Sequence, residues 1–169
     1  MTSDDLSPLF TPYSIKGISL PNRFILPAMQ RGWGERYAPS RKLADYYRRC
    51  IDGGVSMVIN EATIVDHPSG TGHHSFAPIL NADTAGAWRR SIAEVHEAGG
   101  RIFIQLSHEG ATRTKNAGGL APSYPTLSAS GLVAAGRPNG RAATREELHG
   151  IRDAYVHSAS RIVGILWVL

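Results

Sequence analysis

The chain has a single cysteine, Cys50, so it can form no internal disulfide, and a reducing compartment fits that usage. Long apolar runs are also missing. The longest, Ile162 to Leu169, is eight residues, far short of the ~20 that a membrane-spanning helix requires. The first residues, Met1 to Asp5, are acidic and lack the basic-then-apolar order of a secretory signal. These absences predict a cytoplasmic chain with no membrane partner. Charge is not gathered into blocks. The net charge is +4, and the densest basic group, Arg137, Arg141 and Arg145, reads as a solvated face. No zinc-finger, helix-turn-helix or aromatic-basic pattern occurs, so no nucleic-acid partner is expected. There is no phosphate loop and no Gly-x-Ser-x-Gly elbow, and Gly70 to Ser75 breaks the dinucleotide pattern at its last position.

What is present is an ordinary globular composition, 42% hydrophobic and 19% charged over 169 residues, enough for one domain with a real core. Residues 1–21 read as an N-terminal segment with a small hairpin, Tyr13 to Ile15 against Ile18 to Leu20 around Lys16-Gly17. Residues 22–169 read as the body. Asn22 to Leu26 is the first strand, ended by Pro27. Helix one spans Arg41 to Asp52, with Leu43, Tyr46, Tyr47, Cys50 and Ile51 on one stripe, which makes the cysteine and both tyrosines packing residues. Gly53-Gly54 stops it, and Val55 to Ile59 is a second strand. Helix two spans roughly Thr84 to Ala98, capped by Asp83 or Thr84, with Trp88, Ile92 and Val95 inward. Gly99-Gly100 ends it before a third strand, Arg101 to Leu106.

Helix, Gly-Gly, apolar strand has thus occurred twice, which is the mark of consecutive βα units in a parallel sheet. Residues 62–82 and 107–143 read as long loops. Thr144 to Glu147 is a capping box opening helix three, whose inner face is Leu148, Ile151, Tyr155, Ser158 and Ile162. Gly164 is expected to cap it, and Ile165 to Leu169 to begin a fourth strand.

The polar groups of interest follow strand ends. Ala28, Met29 and Gln30 follow the first, Glu61, Ala62 and Thr63 the second, and Gln105 and His108 lie on or after the third. In parallel βα architectures that rim builds the binding site, here for a small molecule. Gln105, an amide within an apolar run, either pairs with neighbouring backbone or meets the edge of a flat heterocycle. Glu61 is either a base or the anchor of a neighbouring loop through a salt bridge. His67, His73, His74 and His108 with Glu61 or Asp66 are the one candidate metal set, but none has helical i, i+4 spacing, and no metal is expected.

Several segments in order carry a family resemblance: Leu9 to Pro12, Leu20 to Arg23, Pro27 to Met29, Tyr46-Tyr47, Asn60 to Thr63, Gly99 to Leu106, His108 to Gly110 and Ala121 to Ser123. Together they resemble the N-terminal half of the old yellow enzyme family, the flavin-dependent NAD(P)H:flavin oxidoreductases and ene-reductases. The resemblance implies an α/β fold of the (βα)8 TIM-barrel type, with FMN over the C-terminal ends of the strands. It implies that Pro27, Ala28, Met29 and Gln30 run along the flavin ring, that Ala62 touches it, and that Gln105 hydrogen-bonds its pyrimidine edge. The implied activity is hydride transfer from NAD(P)H through the flavin to an activated, enone-type alkene. Gln30 departs from the threonine or cysteine usual in the family. Gly32 stands where one subgroup has a substrate-facing tyrosine, and Trp33 beside it is the candidate to cover the flavin and face substrate.

The family's substrate-binding His/Asn or His/His pair and its tyrosine proton donor have no counterpart in this sequence, so no catalytic residue is assigned. An eight-unit barrel typically takes about 250 residues. The chain is therefore expected to hold about three βα units, and to be aggregation-prone or to pair with another chain, a second copy of itself included. The rival expectation is a truncated, non-catalytic fragment or interaction module with a vestigial flavin site.

Overall fold

The structure is a computed structural model and describes residues 5–71, 77–113 and 123–166. Tyr13–Ile15 (β1) and Ile18–Leu20 (β2) form the expected antiparallel hairpin, with Tyr13 opposite Leu20. Lys16 and Gly17 both take positive φ, 45° and 84°, as a two-residue turn that matches strand twist requires. Ile25–Leu26 (β3) is shorter than the strand expected from Asn22, because Asn22 folds onto backbone instead. Its Oδ1 accepts the Phe24 N–H at 2.9 Å and its Nδ2 donates to the Gly54 carbonyl at 2.8 Å. A second hairpin, Gly34–Glu35 (β4) with Ala38–Pro39 (β5), leads into α1, Arg41–Asp52. Ser40 caps α1, its Oγ accepting the Leu43 N–H at 3.3 Å.

Met57–Ile59 (β6) is followed by two strands inside the stretch expected to be loop, Thr63–Val65 (β7) and Ile79–Leu80 (β8). Helix α2, Ala85–Glu97, has Thr84 at its N-cap position, but that hydroxyl donates to the Ile79 carbonyl at 2.6 Å rather than capping the helix. Arg101–Phe103 (β9) and Leu106–Ser107 (β10) are two strands where one was expected. The stretch 107–143, also expected to be loop, contains Leu127–Ser128 (β11), Leu132–Ala134 (β12), Arg137–Pro138 (β13) and Arg141–Ala142 (β14).

β3, β6 and β9 form a parallel sheet in sequence order, with Ile25 beside Met57 and Met57 beside Arg101. Right-handed crossovers between strands added in one direction put every helix on the same face. Accordingly α1 and α2 pack side by side there. Leu43, Tyr47 and Ile51 of α1 meet Trp88, Ile92 and Val95 of α2 over Val58 and Ile102 in one core. Both helix-to-strand turns use the glycine pair, through a positive φ at Gly54 (100°) and at Gly99 (81°). Gly100 is also held small by packing, since a Cβ there would stand 2.5 Å from Ile51 Cδ1. The opposite face of the sheet carries Met57, Ile59 and Phe103, which share an apolar recess with Ile15, Ile18 and Leu20 of the hairpin. A second parallel sheet, in the order β10–β7–β8, continues the first beyond its C-terminal edge.

Helix α3, Arg145–Leu166, corrects the expected ending. The capping box forms as read, with Glu147 N–H donating to Thr144 Oγ1 at 3.2 Å and Thr144 N–H to Glu147 Oε2 at 2.8 Å. Gly164 does not cap the helix, and Ile165 and Leu166 are helical rather than the start of a fourth strand. A short apolar run reads equally as strand or helix, and here tertiary packing decides, because Ile165 (6% exposed) seats in the main core one turn from Ile162. Residues 167–169 lie outside the described residues. Leu148, expected on the inner face, is 41% exposed, whereas Ala154 and Ser158 are buried.

Candidate functional site

The C-terminal end of the central strand β6 is the hub of the site. It closes on Asn60-Glu61, and both residues are completely buried. Two polar side chains in that position are stable only if their groups are paired. The Glu61 carboxylate reaches back to the loop after β3. Its Oε2 accepts the Arg31 N–H at 2.9 Å, and its Oε1 faces the Gln30 amide at 3.4 Å. Burial pushes the Glu61 carboxyl above its ordinary range, and the Arg31 hydrogen bond opposes that shift. Of the two roles open to Glu61, the structure gives it loop anchoring, and through a backbone amide rather than a salt bridge. The Arg31 guanidinium is turned to Tyr46, donating to its hydroxyl at 2.6 Å and lying 4.7 Å over its ring.

Asn60 reaches the other way, to the loop after β9. Its Oδ1 accepts the Gln105 N–H at 2.7 Å, and its Nδ2 donates to Thr63 Oγ1 at 2.8 Å. Thr63 N–H in turn donates to the Gln105 carbonyl at 2.8 Å. The Gln105 backbone is therefore held from both sides, while its side chain is exposed on the rim. α1 supplies the floor, where the Tyr47 hydroxyl accepts the buried Glu61 N–H at 3.0 Å. Burial pushes that phenol upward. Tyr46 and Tyr47, read as packing residues, thus also carry polar contacts.

The residues singled out from sequence do come together. The loop after β3 presents Pro27, Met29 and Gln30 exposed and Ala28 half-buried, Ala62 is half-buried after β6, and Gln105 is exposed after β9. Trp33 is half-buried, with its ring edge-on to Tyr46 at 5.7 Å and Lys42 Nζ 4.1 Å from its centroid, so its loop is fastened to α1.

Beside this rim lies a cluster not foreseen as a unit. Gly110 N–H donates to His108 Nδ1 at 3.0 Å, which leaves the ring proton on Nε2 to donate to Ser69 Oγ at 2.8 Å. Ser69 N–H points at His67 Nδ1, 3.2 Å away, so the Ser69 hydroxyl proton goes to the same nitrogen at 2.8 Å. Ser69 is completely buried between the two rings. Burial, with His67 and Arg113 nearby, pulls His108 down to about 4, and burial lowers His67 as well. The histidines were visible in the sequence, but the buried serine bridging them carried no signal. Among the described residues no group of three or more His, Cys, Asp or Glu is placed to hold a metal ion, and His73 and His74 lie outside them. No helix among the described residues is long and apolar enough to cross a membrane.

A model of the NADH:flavin oxidoreductase / NADH oxidase family matches residues 8–164. The chain belongs to that family. This NADH:flavin oxidoreductase-family chain is 36% identical over 105 residues to 12-oxophytodienoate reductase 7 of Oryza sativa subsp. japonica, covering 62% of the chain and 26% of that protein. It is 30% identical over 162 residues to the NADH oxidase of Thermoanaerobacter brockii, covering 94% of the chain and 24% of that protein. In structure it is similar to morphinone reductase in complex with tetrahydroNAD, at 27% identity and a TM-score of 0.81, covering 93% of this chain and 46% of that one. The chain thus spans about a quarter of those curated relatives and just under half of that reductase. The strands β3, β6 and β9 with their helices are consecutive units of a partial TIM barrel.

Proposed function

We propose that the rim formed by Ala28 to Gln30, Ala62 and Gln105 is the protein's share of an FMN site, in an oxidoreductase of the old yellow enzyme type. One observation carries the reading. Gln105 is an exposed carboxamide two residues past the end of β9, with its backbone fixed on both sides. A primary amide offers a donor and an acceptor side by side, which matches the alternating carbonyl and N–H groups of a flavin pyrimidine. Ala62 adds almost no side chain, so a flat ring can approach the strand end closely. Met29, 55% exposed, and Pro27 provide apolar surface along one edge. These residues fit the group.

Bound there, FMN would supply hydride transfer from a nicotinamide to the β-carbon of an electron-poor alkene. The protein's part is to bind, orient and tune. Gln105 would hold the pyrimidine edge, Gln30 would offer an N–H to the ring, and Glu61 would fix the Gln30 loop. That morphinone reductase binds tetrahydroNAD and that the plant relative is a 12-oxophytodienoate reductase favour a nicotinamide reductant and an enone-type substrate. Trp33, half-buried beside the rim, would contact substrate.

The experiment is to purify the chain with added FMN, desalt it, and record the visible spectrum before and after anaerobic NADH or NADPH. A retained flavin band that bleaches with reductant is the expected result. A colourless chain would overturn the assignment of FMN binding to these residues alone.

A further inference from the structure

We propose that Asn60 is the positioning residue for Gln105, setting the angle at which that amide meets its ligand. This rests on the flavin reading of the rim. The geometry leaves no ambiguity in the orientation of Asn60. The Gln105 N–H can only donate, so the Asn60 atom 2.7 Å away must be the carbonyl oxygen, and Nδ2 then faces Thr63 Oγ1 at 2.8 Å. Thr63 Oγ1 accepts that proton and passes its own to the Glu61 carbonyl at 3.3 Å. Thr63 N–H donates to the Gln105 carbonyl at 2.8 Å. The result is a closed ring of bonds, Asn60 to Gln105 to Thr63 and back to Asn60, in which each group has one available role.

The ring solves a local problem. β9 ends at Phe103 and β10 begins at Leu106, so the ladder is interrupted at Ile104-Gln105. Within that gap, the asparagine side chain accepts the Gln105 amide proton that, in a continuous ladder, a backbone carbonyl of the neighbouring strand would have accepted. A side chain completely buried just past the end of the central strand is held by packing, so it fixes Gln105 more tightly than a surface contact would. Neighbouring Glu61 does the equivalent for the Gln30 loop. The dipeptide therefore sets the relative placement of two strand ends from the third.

The test compares Asn60→Leu, Asn60→Asp, Gln105→Ala and the double variant Asn60→Leu/Gln105→Ala. Two readouts are used, FMN fluorescence quenching and amide hydrogen exchange at Gln105. Leucine keeps the volume and removes both hydrogen bonds. It should speed exchange at Gln105 and weaken FMN binding by about tenfold, the size expected for one lost buried hydrogen bond. Asn60→Asp keeps the acceptor for the Gln105 N–H but buries a charge. Its affinity should lie closer to wild type than that of Asn60→Leu, even though its unfolding midpoint falls further. If Asn60 acts through Gln105, the double variant binds FMN no more weakly than Gln105→Ala alone.

Additive losses in the double variant, or unchanged exchange at Gln105 in Asn60→Leu, would overturn the proposal. If the unmodified chain takes up no FMN, the flavin reading fails and the ligand assigned to Asn60 fails with it. The exchange measurement then still decides whether Asn60 holds Gln105.

Discussion

The buried Glu61 carboxylate accepts the Arg31 backbone N–H at 2.9 Å, and so the end of the central strand governs the course of the loop after β3. Leucine at position 61 would leave that amide and the Gln30 side chain without their acceptor. Glu61→Leu is expected to cost about 1–3 kcal/mol, the penalty for a stranded buried donor. Urea unfolding measures the cost, and limited proteolysis should cut the 27–35 loop faster. Unchanged stability and cleavage would mean that the loop is fixed by Trp33 and its partners instead.

The two adjacent tyrosines of α1 should respond differently to loss of their hydroxyls. Tyr47 is 2% exposed and its oxygen is the acceptor for the Glu61 N–H, so Tyr47→Phe strands a buried donor at about 1–3 kcal/mol. The Tyr46 hydroxyl meets the half-buried Arg31 guanidinium, which water can solvate in its place. Tyr46→Phe should therefore cost well under the Tyr47 value in the same unfolding experiment.

Acid should loosen the loops carrying His67 and His108. His108 holds both neighbours only as the neutral ring, since Nδ1 must accept from Gly110 while Nε2 donates to Ser69. A histidine whose folded pKa is lowered, here to about 4, binds fewer protons than the unfolded chain below its ordinary value near 6.5. Its stabilisation is complete above about pH 6.5 and is lost as pH falls toward about 4. Around the pair stand Arg113, Glu147, Tyr124 and Tyr155, of which the Glu147 carboxyl, held down to about 2 by Arg141 and the Thr144 amide, stays charged across that window. Unfolding midpoints from pH 7.5 to 4.5 should fall, and Ser69→Ala with His108→Phe should flatten the slope.

Trp88 is the largest fully buried side chain among the described residues, and its indole N–H donates to the Ile79 carbonyl at 2.9 Å, joining α2 to β8. Trp88→Ala should cost about 3–5 kcal/mol, and on a chain of marginal stability that is enough to abolish a cooperative transition. Trp88→Phe retains most of the packing and leaves the Ile79 carbonyl its second donor, the Thr84 hydroxyl, so it should cost less. Thermal melts followed by circular dichroism separate the two.

Much of the fold was legible because its signals are local. The helix stripe from Leu43 to Ile51, the glycine pairs at 53–54 and 99–100, the hairpin around Lys16-Gly17 and the Thr144–Glu147 box all emerge where the sequence puts them. β7 and β8 were not legible, since strands of three and two residues have no measurable period and exist only through pairing, β7 with β10 on one side and with β8 on the other. The ending at Ile165 failed for a related reason, because an apolar run carries no preference that packing cannot reverse. For the site, Gln30, Ala62 and Gln105 were visible as strand-end residues. The partners that fix them, Asn60 to Gln105 and Glu61 to Arg31, join positions 45 and 30 residues apart and follow only from the register of the sheet.

The most direct test of the central claim is hydrogen–deuterium exchange of the chain with and without saturating FMN. Exchange should slow at residues 28–30, 60–63 and 105, and stay unchanged around Arg41 and Arg90 between the two helices. Flavin that binds while those strand ends remain unprotected would contradict the assignment of the rim.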